Sequence, residues 1–190
     1  MRKRMVLQNR NRNYLFNVCA LEKRLLQKQR AVFHSCYVER KGKAVLFSGP
    51  SGIGKSTQGT LWKTYRGAAV VNGDRSVIGK RRETWYAYGF PFSGTSGICR
   101  NRSNPLVGIF FLKQANENKT RKLEPEQAAL LLWEQFTVNQ WDPECVEDAL
   151  RMADWIAAEV PVFELSCTPD ERAVICAERA LGWQEESRWM

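Results

Sequence analysis

Gly49-Pro50-Ser51-Gly52-Ile53-Gly54-Lys55-Ser56-Thr57 matches G-x-x-x-x-G-K-[ST] at every position. This pattern reads as a phosphate-binding loop (P-loop) when it leaves a strand and opens a helix. Both flanks fit: Ala44-Val45-Leu46-Phe47 is an apolar run of strand character, and residues 55–65 have helical composition. Gly49, Gly52 and Gly54 let the main chain wrap closely enough for the N–H groups of Ser51, Gly52, Ile53, Gly54, Lys55, Ser56 and Thr57 to face phosphate oxygens. The helix start adds unpaired donors and the positive end of its dipole. In such a loop Lys55 reaches the terminal phosphates and the Ser56 hydroxyl takes a position on Mg²⁺.

Outward from the loop, residues 31–38 (Ala-Val-Phe-His-Ser-Cys-Tyr-Val) predict a strand, turned at Arg40-Lys41-Gly42-Lys43 into the strand that feeds the loop. His34 is the only histidine and lies fifteen residues before Gly49. A strand histidine is compatible with a structural role or with work at the phosphate. After the loop helix comes a second apolar run, Ala68-Ala69-Val70-Val71, ending in Asn72-Gly73-Asp74-Arg75. A carboxylate at a strand end beside a phosphate loop is placed for Mg²⁺, so Asp74 is the candidate metal partner; turn chemistry is the competing reading.

Residues 76–78 and 84–88 predict a further hairpin, and residues 89–102 form a glycine-bearing segment too long for a simple connection. Arg100 and Arg102 on it are candidates to neutralise a moving phosphoryl group, against the alternative of a solvated surface loop. Residues 106–112 predict a buried strand and residues 113–122 a polar turn. Helices are predicted from Pro125 and from Pro143 to about Glu159, each opened by proline and acidic residues. Residues 160–165 predict a last strand that Pro161 sets at an edge or at its own start, and a final helix runs to Gly182.

The chain of 190 residues suits one α/β domain, taken as residues 31–190, preceded by a basic arm or helix over residues 1–30. That arm holds nine Lys and Arg against Glu22, so +8 of the net +9 lies there. A solvated helix face over about residues 15–28 is favoured over a nucleic-acid surface, because no aromatic-interleaved basic stripe accompanies it. No apolar run approaches the roughly 18 residues of a membrane span, and residues 8–13 are polar where an export signal is apolar. Six scattered cysteines without C-x-x-C read as reduced thiols of a cytoplasmic protein.

Taken together, these residues resemble the catalytic domain of HPr kinase/phosphorylase, whose phosphate-loop fold is similar to that of phosphoenolpyruvate carboxykinase. The resemblance rests on the order His34, hairpin glycine, residues 49–57; on Asn72-Gly73-Asp74-Arg75, where the family carries Asp-Asp-Arg; and on Gly89-Phe90-Pro91-Phe92-Ser93-Gly94, which is similar to a segment of the smaller HPr-kinase-like proteins. It runs from about Phe33 to Leu112 and only loosely beyond. It implies an α/β fold with a mixed sheet and flanking helices, ATP held by residues 49–57, Mg²⁺ held by Ser56 and Asp74, and His34 near the transferred phosphate. The implied activity is phosphorylation of a hydroxyl, foremost a serine of a peptide or small protein. A small-molecule kinase acting on a metabolite such as free serine, and a nucleotide-binding regulator with little turnover, are the alternatives. Gly73 departs from the family by replacing its first Asp, which leaves one carboxylate at this position. No stretch resembles the bacterial regulator's amino-terminal domain, so neither HPr as acceptor nor phosphorylase activity is implied. A homo-oligomer is left open.

Overall fold

Strand β2 (Lys43–Ser48) is the centre of the fold, because both of its faces are covered by apolar side chains. Leu46 packs into one cluster, while Val45 and Phe47 pack into the other. A strand clad on both faces reads as a continuous apolar run, as residues 44–47 do. The structure is a computed structural model that describes residues 20–183. Residues 1–19, most of the basic arm, lie outside the described residues.

The element order continues from α1 (Leu21–Leu26) through β1 (Arg30–Arg40), β2, α2 (Lys55–Arg66), β3 (Ala69–Asn72), β4 (Arg75–Arg81), β5 (Thr84–Gly89) and β6 (Ser103–Gln114). It ends with β7 (Lys119–Lys122), α3 (Pro125–Gln135), α4 (Pro143–Glu159), β8 (Val162–Cys167) and α5 (Glu171–Ala180). The sheet is mixed, with helices on its flanks. β1 pairs with β4 through residues 30–34 and with β2 through residues 35–40, both antiparallel. β6 pairs with β5 at its start and runs parallel to β2 beyond Leu106. Since β4 and β5 also pair, the run β1–β2–β6–β5–β4 returns to β1, and β8 and β7 extend it from β6. β2, β6 and β8 are mutually parallel, so their C-terminal ends open on one side of the molecule.

Helices α3 and α4 cover one face through Ala128, Leu132, Ala149, Met152 and Ile156; α2 and α5 cover the other through Trp62, Val174 and Ala177. Pro125 and Pro143 sit in the first turns of α3 and α4, where the missing N–H costs nothing. The Asp142 side chain caps α4 by accepting from the Cys145 N–H at 3.3 Å. The part of the predicted 15–28 helix that is described, α1, buries Leu26 in the main core, and Lys23 of α1 donates to Asp142 at 2.7 Å.

One strand reading needs correction, and another is narrowed to one of its two alternatives. Residues 113–122 are not only a turn, because Lys119–Lys122 forms β7, the edge strand antiparallel to β8. β8 therefore lies inside the sheet, and of the two places open to Pro161 it takes the strand's start, just before Val162, its carbonyl accepting from the Ile109 N–H at 3.0 Å. A four-residue strand of Lys, Thr, Arg and Lys has no apolar alternation, and such charge is common on edges, where it discourages pairing with other chains.

Candidate functional site

Strand register brings the predicted residues into one row. Ser35 of β1 lies opposite Ser48, the last residue before the 49–57 loop, and His34 lies opposite Arg75 at the start of β4. The Ser48 hydroxyl donates to the His34 carbonyl at 2.7 Å, and the Ser35 N–H donates to the Asp74 carbonyl at 3.0 Å. β3 and β4 follow one edge of β1 in succession, and Gly73 and Asp74 form the break between them. Asp74 is thereby set beside His34, with Nε2 3.7 Å from Oδ1, and Arg75 Nε lies 3.7 Å from the other carboxylate oxygen.

The 49–57 loop has the backbone that its glycines permit. Gly49 and Gly54 hold φ near 133° and 117°, and a Cβ at Gly49 would press on Ile53 at 3.3 Å. Gly54 stands at the N-cap of α2 and has no side chain to cap it, so no capping side-chain oxygen occupies the first-turn N–H groups from that position. Ser51, Ser56 and Thr57 are exposed there. The Lys55 ammonium is buried and donates to the carbonyls of Gly49 at 2.7 Å and Pro50 at 2.9 Å. Burial draws its pKa below the usual lysine value, opposed by the Asp74 carboxylate. His34 is shifted down chiefly by burial and then by the Lys55 charge, while Asp74 and a hydrogen bond with Gln135 act the other way. Lys55, Asp74 and His34 thus share one electrostatic neighbourhood.

Sequence reasoning missed Asn72. It is fully buried, and its amide oxygen accepts from the N–H groups of Asp74 at 2.9 Å and Arg75 at 3.0 Å. Its amide nitrogen donates to the carbonyls of Phe90 at 2.5 Å and Phe92 at 2.9 Å. One side chain therefore shapes the break that presents Asp74 and ties residues 90–92 beside it. Its signal was an Asn closing an apolar strand, which reads first as turn chemistry. Gln135 was missed as well, since its approach to His34 depends on packing across about a hundred residues of chain.

The 89–102 segment folds over the same break. Gly73 lies so close to the 93–97 turn that a Cβ there would meet Ser96 Oγ at 2.2 Å, and a Cβ on Gly94 would come within 2.8 Å of Asp74. The Arg100 N–H donates to the Val71 carbonyl at 2.9 Å, and its residue is exposed. Arg102 is not brought to the other candidates. It donates to Glu39 at 2.7 Å, and Glu39 faces Ala44 at the far end of β2, four residues along β1 from Ser35 and thus roughly 13 Å away.

On the other flank of the loop, a hollow of about 380 Å³ opens between the loop, the end of β6 and the turn after β8. Among the described residues, no three His, Cys, Asp or Glu side chains gather as a metal cluster. Cys36, Cys99, Cys145, Cys167 and Cys176 are free thiols, and no described helix is long and apolar enough to cross a membrane.

Residues 13–172 match the family model described as SynChlorMet cassette protein ScmC. The chain belongs to the ScmC family. That match spans β1 to β8, and with them the 49–57 loop, His34 and Asp74 of this ScmC-family chain. No curated protein matches the sequence. Among solved structures, the Hpr(Ser) kinase/phosphatase from Coxiella burnetii is similar at 12% identity and a TM-score of 0.47, covering 80% of this chain and 88% of that one. At that distance no residue role is transferred from it to the ScmC-family chain.

Proposed function

We propose that this chain is an ATP- and Mg²⁺-dependent phosphotransferase that moves the γ-phosphoryl group to a hydroxyl, foremost a serine of a peptide or small protein. One observation carries the reading: Lys55, Asp74 and His34 converge where β2 ends in a G-x-x-x-x-G-K-[ST] loop whose helix lacks a side-chain cap. Uncapped N–H groups at a helix start favour phosphate. The residues fit the groups the reaction needs. A Cβ on Gly52 or Gly54 would meet open space, leaving room over the loop, and the Lys55 ammonium donates to two carbonyls that a phosphate can replace. Mg²⁺ bound with nucleotide keeps several waters and needs few protein ligands, so the Ser56 hydroxyl and the Asp74 carboxylate suffice.

In this reading the acceptor oxygen forms a bond to the γ-phosphorus while the bond to the β,γ-bridging oxygen breaks, and ADP leaves. Mg²⁺ offsets phosphate charge when bound. Lys55 stabilises the charge that spreads over the phosphoryl oxygens, and either His34 Nε2 or Asp74 takes the hydroxyl proton. The lowered pKa of His34 keeps its imidazole neutral near pH 7 and therefore able to accept. The 89–102 segment beside Asp74 borders the acceptor side. A small-molecule acceptor such as free serine is the close variant.

A nucleotide-binding regulator with little turnover is the second reading, favoured by Gly73: the single carboxylate of Asp74 has to serve metal and proton alike. ATP turnover with serine peptides and with free serine, wild type against Asp74→Asn, separates the two. Phosphoryl transfer lost in the variant supports the kinase; nucleotide binding without transfer to any acceptor supports the regulator.

A further inference from the structure

We infer that the hollow beside the 49–57 loop takes the base of the bound nucleotide, and that Gln58 selects a purine carrying a 6-amino group, adenine over its 6-oxo counterparts. This rests on the phosphotransferase reading and adds what that loop alone does not specify.

Placement comes first. β2 has β1, with His34, on one side and β6 on the other, so Asp74 and the hollow flank the loop from opposite directions. The hollow sits outside the C-terminal ends of three parallel strands, β2, β6 and β8, which is where open α/β sheets bind ligands. A nucleotide whose terminal phosphate lies at Lys55 and Asp74 extends across the loop into it. About 380 Å³ falls within the range of small-molecule sites, and Ile53, Leu112 and Pro169 supply apolar wall for a flat ring.

Gln58 supplies the discrimination. The residue is 2% exposed, lines the hollow, and carries a buried amide oxygen with no hydrogen-bond partner among the described residues. Its amide nitrogen donates to Cys167 Sγ at 3.4 Å, which leaves the oxygen as the free end. A buried acceptor without a donor costs the fold, and a ligand N–H restores it. The 6-amino group of adenine is such a donor. The 6-oxo group of hypoxanthine or guanine would set acceptor against acceptor.

The experiment measures binding of ATP, inosine triphosphate and inorganic tripolyphosphate, all with Mg²⁺, to the full chain by calorimetry. Wild type should prefer ATP to inosine triphosphate by about tenfold, the worth of one hydrogen bond to a buried group. Gln58→Leu should abolish that preference. Ala115→Phe, which fills the hollow, should bring ATP down to the affinity of tripolyphosphate while tripolyphosphate binding stays unchanged, showing that the variant is folded. The inference is overturned if wild type binds ATP no more tightly than tripolyphosphate, if Ala115→Phe keeps the ATP advantage, or if Gln58→Leu keeps the base preference. Wild type binding neither ATP nor tripolyphosphate would instead remove the phosphotransferase reading, and the base site with it.

Discussion

The amide oxygen of Asn72 accepts the N–H of Asp74 at 2.9 Å, so the residue before the β3–β4 break fixes the carboxylate that the break presents. Because the same side chain donates to Phe90 and Phe92, the geometry of Asp74 and the seating of the 89–102 segment are one structural unit.

Asn72→Ala removes all four of these hydrogen bonds inside a fully buried site. Orphaned buried groups make this costly, about 2–4 kcal/mol and a fall in Tm of roughly 10 °C. Thermal unfolding checks it. Asn72→Asp keeps the acceptor but loses the donor, and should free residues 90–97 to early proteolytic cleavage while the rest of the chain resists.

Gly73→Ala places a Cβ against Ser96 Oγ, and the 93–97 turn has to move. The expected cost is about 1–3 kcal/mol. Adding Ser96→Gly removes the opposing atoms and should recover most of it, which a double-mutant cycle of urea midpoints measures. Gly73 thus has a steric account: the 93–97 turn occupies the space a side chain would need.

How much of this was legible in the sequence follows from how local each feature is. The loop motif, its flanking strand and helix, and the β1–β2 hairpin are short-range patterns, and all of these elements are found where they were predicted. The row formed by His34 and Asp74 depends on β1 pairing with both β2 and β4, a register that residues 31–38 do not announce. β7 escaped because charged edge strands lack the apolar alternation that marks buried ones. Arg100 and Arg102 were joined by proximity in the chain, yet the start of β6 carries Arg102 to Glu39 at the other end of the sheet.

That placement gives a contrast in turnover. Arg102→Ala breaks an exposed ion pair with Glu39 and should leave phosphoryl transfer within about twofold of wild type. Lys55→Ala should lower it by about 10²–10³, the worth of one preorganised charge at the reacting phosphate. Rates under saturating acceptor distinguish the two.

His34 gives the pH dependence. Burial holds its pKa below the ordinary 6.5, so on acidification the unfolded chain takes up the proton before the folded one does. Stability from this group is flat above about pH 6.5 and is lost as pH falls through the folded value. His34→Gln should therefore lose less stability than wild type between pH 7.5 and pH 5, read from urea midpoints. If the imidazole takes the acceptor proton, kcat/KM in wild type rises with pH along its acid limb below about 6.5, and that limb disappears in the variant.

The central claim is that residues 49–57 hold the phosphates of a nucleotide with the Lys55 charge among them. Calorimetric titration of the full chain with Mg-ATP tests it most directly, wild type beside Lys55→Ala. The account predicts one saturable site in wild type and affinity at least about tenfold weaker in the variant. No binding heat in wild type, or equal affinity in both, would contradict it.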